Sequence, residues 1–388
     1  MADETAKRIA ERIAPLRVKP GAKVILAKNF DPGYRAEFVK KKDSLELLQQ
    51  GVELLNEYQA RLAAQDTYGV LVVLQALDAA GKDGTIRHVM SGVNPQGVSV
   101  RSFKVPSSEE LNHDYLWRYA RNLPGRGEIG IFNRSYYEEV LVVRVHPENL
   151  KRQRLPKEAR GREVWTRRYR DINDWERYLT ANGFRIVKLF LNLSREEQRT
   201  RFLRRIDLPD HNWKFSSADA KERSYWDDYQ KAFSAMLSAT STEWAPWYVI
   251  PADHKWFARL CAAAIVAHTL IEIDPRFPTV TAEQHKDLDE TKDLLEAQAP
   301  KGAVPDPFAS QAGSAVKKGK GKADKKAEKA AMKAAKEAAK AAKKARKLQG
   351  GSEEEAKTVE EFAQENEAAA MKGRAATGDG GEASSVEG

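Results

Sequence analysis

Gly69-Val-Leu-Val-Val-Leu-Gln-Ala-Leu-Asp-Ala-Ala-Gly-Lys-Asp-Gly-Thr85 runs from a short apolar segment into a polar, glycine-bounded loop. The run Gly69–Leu74 is branched, apolar and flanked by turn signals, as a strand buried on both faces requires. The loop Ala76–Lys82 follows, and a helix is predicted from about Gly84. A loop between a strand and a helix N-terminus gathers backbone amides that point at an anion, and the helix dipole adds partial positive charge. Lys82 would neutralise a bridging or terminal phosphate. Gly81 and Gly84 let the backbone come close to one. Ala79, Ala80, Gly81, Asp83, Gly84 and Thr85 are the loop candidates for phosphate contact. Two positions depart from the usual phosphate loop: Ala76 stands for its first glycine, and Asp83 for the Ser/Thr that holds magnesium. The bland alternative is a solvated glycine turn.

Outward from this stretch, strand and helix patterns alternate. Asp43 with Glu46 three residues on predicts a capping box, opening a helix to about Gln65. Strands are predicted at Val98–Lys104, Glu128–Phe132, Phe184–Leu193 and Trp247–Pro251. Helices are predicted at Ser107–Asn122, Ser135–Val143, Glu163–Ala181, Ser194–Ile206, Ser217–Ala239 and His254–Ile273. Such alternation implies an α/β fold, a three-layer αβα sandwich on a parallel sheet of about five strands. Residues 1–42 read as an N-terminal extension with a short helix at Glu4–Ala14, and 43–278 as the catalytic-sized domain.

After Pro278 the composition changes. Residues 315–350 hold 14 basic and 3 acidic residues, and 351–388 hold 3 basic and 10 acidic. Neither can bury a core, so 279–388 is expected to be a disordered low-complexity tail. The two tracts carry about +11 and −7, which leaves about +5 of the net charge of +9 to the rest of the chain. A single cysteine, Cys261, excludes an internal disulfide framework and fits a reducing cytoplasm. The N-terminus shows no signal-peptide pattern. The longest apolar stretch, Phe257–Ile273, is interrupted by Arg259, His268 and Glu272 and reads as a buried helix, with no membrane role.

Candidate site residues cluster at strand ends, where open α/β sheets bind ligands. Asp78 inside the loop would repel phosphate unless it holds a cation, so it is the candidate metal ligand; a loop-capping aspartate is the alternative. At the end of the third strand, Asn133 offers an oxygen to metal or water and Arg134 a planar guanidinium suited to phosphate. Glu138 and Glu139 follow, either facing the crevice or solvent. Arg199-Thr-Arg-Phe-Leu-Arg-Arg205 is the strongest basic cluster of the domain. Arg201 and Arg205 share a helix face, and a mobile arginine helix over phosphates would form a lid at about 199–222. The histidines show no metal-ligand spacing, and no nucleophile triad is visible.

Together these residues resemble the family-2 polyphosphate kinases. The likeness covers about residues 30–275. It rests on Leu77–Thr85, Ser102-Phe-Lys-Val-Pro106, Asp114-Tyr-Leu-Trp-Arg118, Phe132-Asn-Arg-Ser-Tyr-Tyr-Glu138, Trp213-Lys-Phe215, Ala245-Pro-Trp247 and Pro251-Ala-Asp253. The resemblance implies a P-loop kinase-like fold and reversible phosphoryl transfer between inorganic polyphosphate and nucleotides. It also implies a magnesium ion, with manganese as the alternative, and a homo-oligomer. It maps the family's metal aspartate and loop lysine onto Asp78 and Lys82, and its arginines onto Arg134, Arg201 and Arg205. Lys104, Asn133, Glu138 and Lys214 join the loop residues as substrate contacts. Many members carry Asp at the place of Asn133 and Asn at the place of Glu138. The form found here is similar to the subgroup that phosphorylates both mono- and diphosphates.

Two other readings stay open at this stage. An ATP-dependent nucleoside monophosphate kinase shares the loop-and-lid logic. A polyanion-binding protein, acting through the Lys/Ala tail, would hold nucleic acid or polyphosphate non-specifically and with steep salt dependence. Deleting residues 279–388 separates the tail from the domain. Turnover is expected to survive, while retention on an immobilised polyanion falls; loss of turnover would place the activity in the tail.

Overall fold

The computed structural model describes residues 2–36, 41–161, 163–209 and 217–298. Five strands form one wholly parallel sheet: β1 (Gly69–Ala76), β2 (Val98–Ser102), β3 (Ile129–Asn133), β4 (Phe184–Asn192) and β5 (Trp247–Pro251), in the order β2-β3-β1-β4-β5. The first strand lies at the centre. The chain leaves it towards β2 and β3 on one side and then towards β4 and β5 on the other, so the crevice at its C-terminal end is the topological switch point.

Period-two alternation sorts the side chains of each strand between two cores. Val70, Val72, Leu74, Ile129, Ile131, Val187, Leu189 and Ile250 join one, with Leu55 and Leu62 of α1 (Ser44–Gln65) and much of α2 (Lys255–Ile273). Leu71, Val73, Phe132, Ile186, Phe190, Trp247 and Val249 join the other, under the helices Val164–Ala181 and Trp226–Thr240. The result is the three-layer αβα sandwich expected from the alternation. The helix Lys255–Ile273 is long and apolar enough to cross a membrane, but here nine of its residues are buried in the first core. Cys261 is among them and is a free thiol.

Several local expectations change. No capping box forms at Asp43: it is already helical (φ −94°, ψ −6°), its side chain makes no cap bond, and the turn Lys41–Asp43 leads straight into the helix. The capping box lies instead at Ser107 and Glu110. The helix predicted over Ser107–Asn122 breaks into Ser108–Asn112 and Trp117–Ala120, because His113 is extended and the Asp114 carboxylate accepts from Leu116 N–H at 2.9 Å. Short polar side chains compete with the helix in this way. Ser135–Val143 becomes a 3-10 turn, Tyr136–Val140, and a single helical turn, Val142–Val145. A 3-10 turn at Arg223–Tyr225 likewise interrupts Ser217–Ala239.

The lead-in before residue 43 is built into the body. Ile13, Leu16, Val18 and Leu26 are buried, and Val18 N–H donates to Trp247 O at 2.9 Å. The chain divides into two compact units, Met1–Ala282 and Glu283–Gly388. In the second, the helix begun at Ala282 runs to Ala297, buries no residue and carries the i,i+4 pairs Lys286–Glu290 and Lys292–Glu296. The Lys/Ala and acidic tracts, 315–350 and 351–388, lie outside the described residues.

A charged residue sits in the middle of β4. Lys188 is fully buried, donates to Glu176 Oε2 at 2.7 Å and to Thr240 O at 2.6 Å, and so joins the sheet to both helices of that face. The hydroxyls of Tyr136 and Tyr137 donate to the other carboxylate oxygen at 2.7 and 2.8 Å. Removing one member leaves an uncompensated buried charge. Lys188→Met is expected to cost about 3–5 kcal/mol in urea unfolding, and adding Glu176→Gln to recover part of it. A single variant of wild-type stability would contradict this account.

Candidate functional site

The loop after β1 folds tightly. Ala79 takes a left-handed φ of +65° and Gly81 one of +100°, and the helix α3 (Lys82–Val89) starts at once. Lys82 Nζ donates to Ala76 O at 2.9 Å and is 3.4 Å from Leu77 O. Burial pushes the ammonium pKa below the usual lysine value, with the Asp78 carboxylate opposing that shift most strongly. An ammonium held among backbone carbonyls with little water is ready to meet an anion.

Across the crevice stands the end of β3. Arg134 also has a left-handed φ, +65°, which costs of order 1–3 kcal/mol in a non-glycine residue and marks imposed geometry. Its backbone N–H is tied to Leu74 O at 3.0 Å, so the turn is stitched to β1. Its guanidinium donates to Asp78 Oδ1 at 2.8 Å and lies 3.8 Å from Glu138 Oε2. Glu138 Oε1 accepts from Gln75 Nε2 at 3.1 Å. Desolvation raises the Glu138 pKa above the usual 4.5, against Arg134, Lys82 and Gln75, which favour the carboxylate. Asn133 Nδ2 donates to Asp83 Oδ1 at 2.7 Å. Asp83, in place of the usual loop Ser/Thr, is thus partnered by Asn133, in place of the Asp that many family members carry. Asp78, Lys82, Arg134 and Glu138 come together at the crevice, with Asn133 beside them on Asp83. Glu139 does not: it is buried away from the crevice in an ion pair with Arg168 at 3.0 Å.

The arginine helix α4 (Arg195–Asp207) is placed differently from the expectation. Arg201 is 7% exposed and turned under the loop that follows β1. Its guanidinium donates to Ala79 O, Ala80 O, Ala252 O and Asp253 O, and its Nε to Glu197 Oε1. It is not poised over the crevice, because those carbonyls take its donors. Arg205, one turn on, is half-buried with its guanidinium 5.6 Å from the Phe202 ring. Lys104 lies exposed beyond β2, its carbonyl accepting from Arg118 at 2.9 Å. Lys214 lies outside the described residues.

Beside Asp78 and Arg134 opens a cavity of about 480 Å³, a size suited to a small organic ligand. Leu141, Val142, Phe202, Trp226 and Phe233 give it apolar walls, and Glu138, Gln198 and Arg223 a polar side. His146 also lines it, with Nε2 2.8 Å from Glu222 Oε1, which also accepts from the Tyr229 hydroxyl. Sequence reasoning missed Gln75, Gln198, Arg223 and this His146–Glu222–Tyr229 group. Gln75 left a signal, a polar residue near the end of an apolar strand; the others come from separate segments of the chain and left none.

A strand–loop–helix turn opening into a cavity of this size, with an arginine beside both, is the arrangement of a kinase-like phosphotransferase. The family model for polyphosphate kinase 2 (PPK2) matches residues 37–277. The chain is 52% identical over 276 residues to the ADP-polyphosphate phosphotransferase of Rhodopseudomonas palustris, covering 70% of this chain and 94% of that one. It is 46% identical over 263 residues to the AMP/ADP-polyphosphate phosphotransferase of Meiothermus ruber, covering 68% and 94%. The crystal structure of polyphosphate kinase 2 from Arthrobacter aurescens superimposes with a TM-score of 0.62 at 37% identity, covering 71% of this chain and 98% of that one. The chain belongs to the polyphosphate kinase 2 family, and it is an enzyme of phosphoryl transfer between polyphosphate and nucleotides.

The Glu138 environment fixes a pH effect. A raised pKa means the carboxylate is lost earlier as pH falls, and Arg134 then loses a counter-charge. The acid limb of kcat/KM is expected above pH 4.5. Glu138→Gln keeps the acceptor for Gln75 and should remove that limb. An unchanged limb in the variant would assign it to another group.

Proposed function

We propose that this enzyme phosphorylates both AMP and ADP from polyphosphate, reversibly and with magnesium. The observation that carries the reading is the Asp78–Arg134 pair at 2.8 Å, standing between the amide loop and the cavity. Polyphosphate would lie on the loop, and the acceptor nucleotide in the cavity, so that the transferring group meets Arg134 from either side. The name of the Meiothermus ruber relative, AMP/ADP-polyphosphate phosphotransferase, supports use of both acceptors.

The donor set suits magnesium. Among the described residues no group of three or more His, Cys, Asp or Glu is arranged to cage a metal. Magnesium keeps several waters and is typically held by one or two carboxylates plus substrate phosphates. Asp78 Oδ2, which takes no hydrogen bond among the described residues, fits that role. Bound there, the ion would neutralise charge on oxygens of donor and acceptor.

Phosphoryl transfer asks the protein for in-line positioning and charge stabilisation. Lys82 and the loop amides hold the donor's terminal phosphates. Arg134, fixed in direction by its left-handed backbone and by Asp78, meets the equatorial oxygens of the group in flight. The acceptor is already an anionic phosphate, so no strong base is needed. Phosphoanhydride replaces phosphoanhydride, which makes the reaction reversible.

Polyphosphate with AMP, and no ATP, should give ADP and then ATP. Product only when ATP replaces polyphosphate would favour a nucleoside monophosphate kinase and end the reading. Lys82→Ala and Arg134→Lys should each lower kcat by about 10²–10³-fold with the melting temperature little changed.

A further inference from the structure

We infer that Gln198 and Arg201 are positioning residues that aim the amides of the phosphate loop by holding its carbonyls from behind. The inference rests on the loop being the phosphate cradle. Three consecutive loop carbonyls are captured by two side chains three residues apart on one helix. Gln198 Nε2 donates to Asp78 O at 3.0 Å. Arg201 Nη1 donates to Ala79 O at 3.0 Å and to Ala80 O at 2.9 Å.

A trans peptide is planar, with its C=O and the following N–H pointing in opposite directions. Holding the carbonyls of 78, 79 and 80 towards α4 therefore turns the N–H groups of 79, 80 and 81 the other way. Ala80 N–H closes the turn onto Leu77 O at 3.3 Å. Those of Ala79 and Gly81 have no partner among the described residues and face away from the helix. The left-handed φ values of Ala79 and Gly81 are the backbone form of the same arrangement.

The second half of each side chain anchors the brace. Arg201 Nη2 donates to Ala252 O at 2.6 Å and to Asp253 O at 3.2 Å, just beyond β5. Gln198 Oε1 accepts from Arg223 Nη1 at 2.9 Å, and that same nitrogen donates to Arg195 O at 2.7 Å. Arg201 is 7% exposed and lines no part of the cavity, while Gln198, 3% exposed at the cavity edge, has its amide nitrogen committed to Asp78 O and its amide oxygen to Arg223. Arginine is required because four carbonyls must be met by one rigid fork; a lysine ammonium has three donors and no fork. The buried cation also places positive charge behind the loop.

The test uses the full chain carrying Gln198→Leu or Arg201→Lys. Measured are kcat, KM for polyphosphate, KM for ADP, melting temperature and tripolyphosphate affinity by calorimetry without nucleotide. A displaced cradle should lower kcat by about a hundredfold, raise the polyphosphate KM and weaken tripolyphosphate, with the ADP KM of Arg201→Lys, which lies outside the cavity wall, within about twofold. Gln198→Glu, which keeps the acceptor for Arg223 but loses the donor to Asp78 O, should resemble Gln198→Leu. Free guanidinium should restore part of the turnover of Arg201→Ala. Wild-type kinetics in Gln198→Leu and Arg201→Lys would overturn the inference. So would equal losses for both substrates with a lowered melting temperature. A wild-type enzyme that binds no tripolyphosphate would instead overturn the cradle itself.

Discussion

A cradle of backbone amides has a rear side. Each N–H that points at an anion is paired, across a planar peptide, with a carbonyl that points away from it. If the rear is buried, those carbonyls need donors, since an unpaired buried polar group costs about 1–3 kcal/mol. Much of this crevice answers that requirement. Lys82 serves the carbonyls of Ala76 and Leu77, Gln198 that of Asp78, and Arg201 those of Ala79 and Ala80. Positive charge therefore surrounds the loop on several sides, which would also favour an anion on its open face.

The opposite wall works by strain and pairing. Arg134 is forced into a left-handed backbone whose N–H is bonded to β1, and its guanidinium is restrained by Asp78 and Glu138. Behind it, Tyr136 and Tyr137 reach Glu176 and thereby Lys188 of β4. A buried ion pair is weak evidence for stability, but one that accepts two neighbouring hydroxyls fixes where the turn of Arg134 and Glu138 can sit. Positioning is what phosphoryl transfer demands.

How far the sequence could be read depends on what kind of interaction shaped each part. β5 was legible to the residue and β4 within one, because strands buried on both faces are continuous apolar runs. The central loop was legible because strand, glycine and lysine stand in a fixed order. Helix ends and the segments 107–122 and 135–143 were less so: there local side-chain bonds, such as Asp114 to Leu116, outweigh periodicity. The cavity wall was not legible, since His146, Glu222 and Tyr229 meet only through tertiary packing.

Arg201 shows the limit most clearly. Spacing says that residues four apart share a helix face; it does not say which way that face is turned. Arg201 and Arg205 do lie one turn apart, yet the first is 7% exposed beneath the loop and the second half-buried. The apolar pattern of α4 is thin, so an arginine with four carbonyl partners does the work that a core side chain would do elsewhere. A basic helix beside a phosphate site would thus carry two kinds of arginine: those that shape the backbone which binds the anion, and those left to meet the anion itself. Only the carbonyls distinguish them, and carbonyl directions are a property of the folded loop.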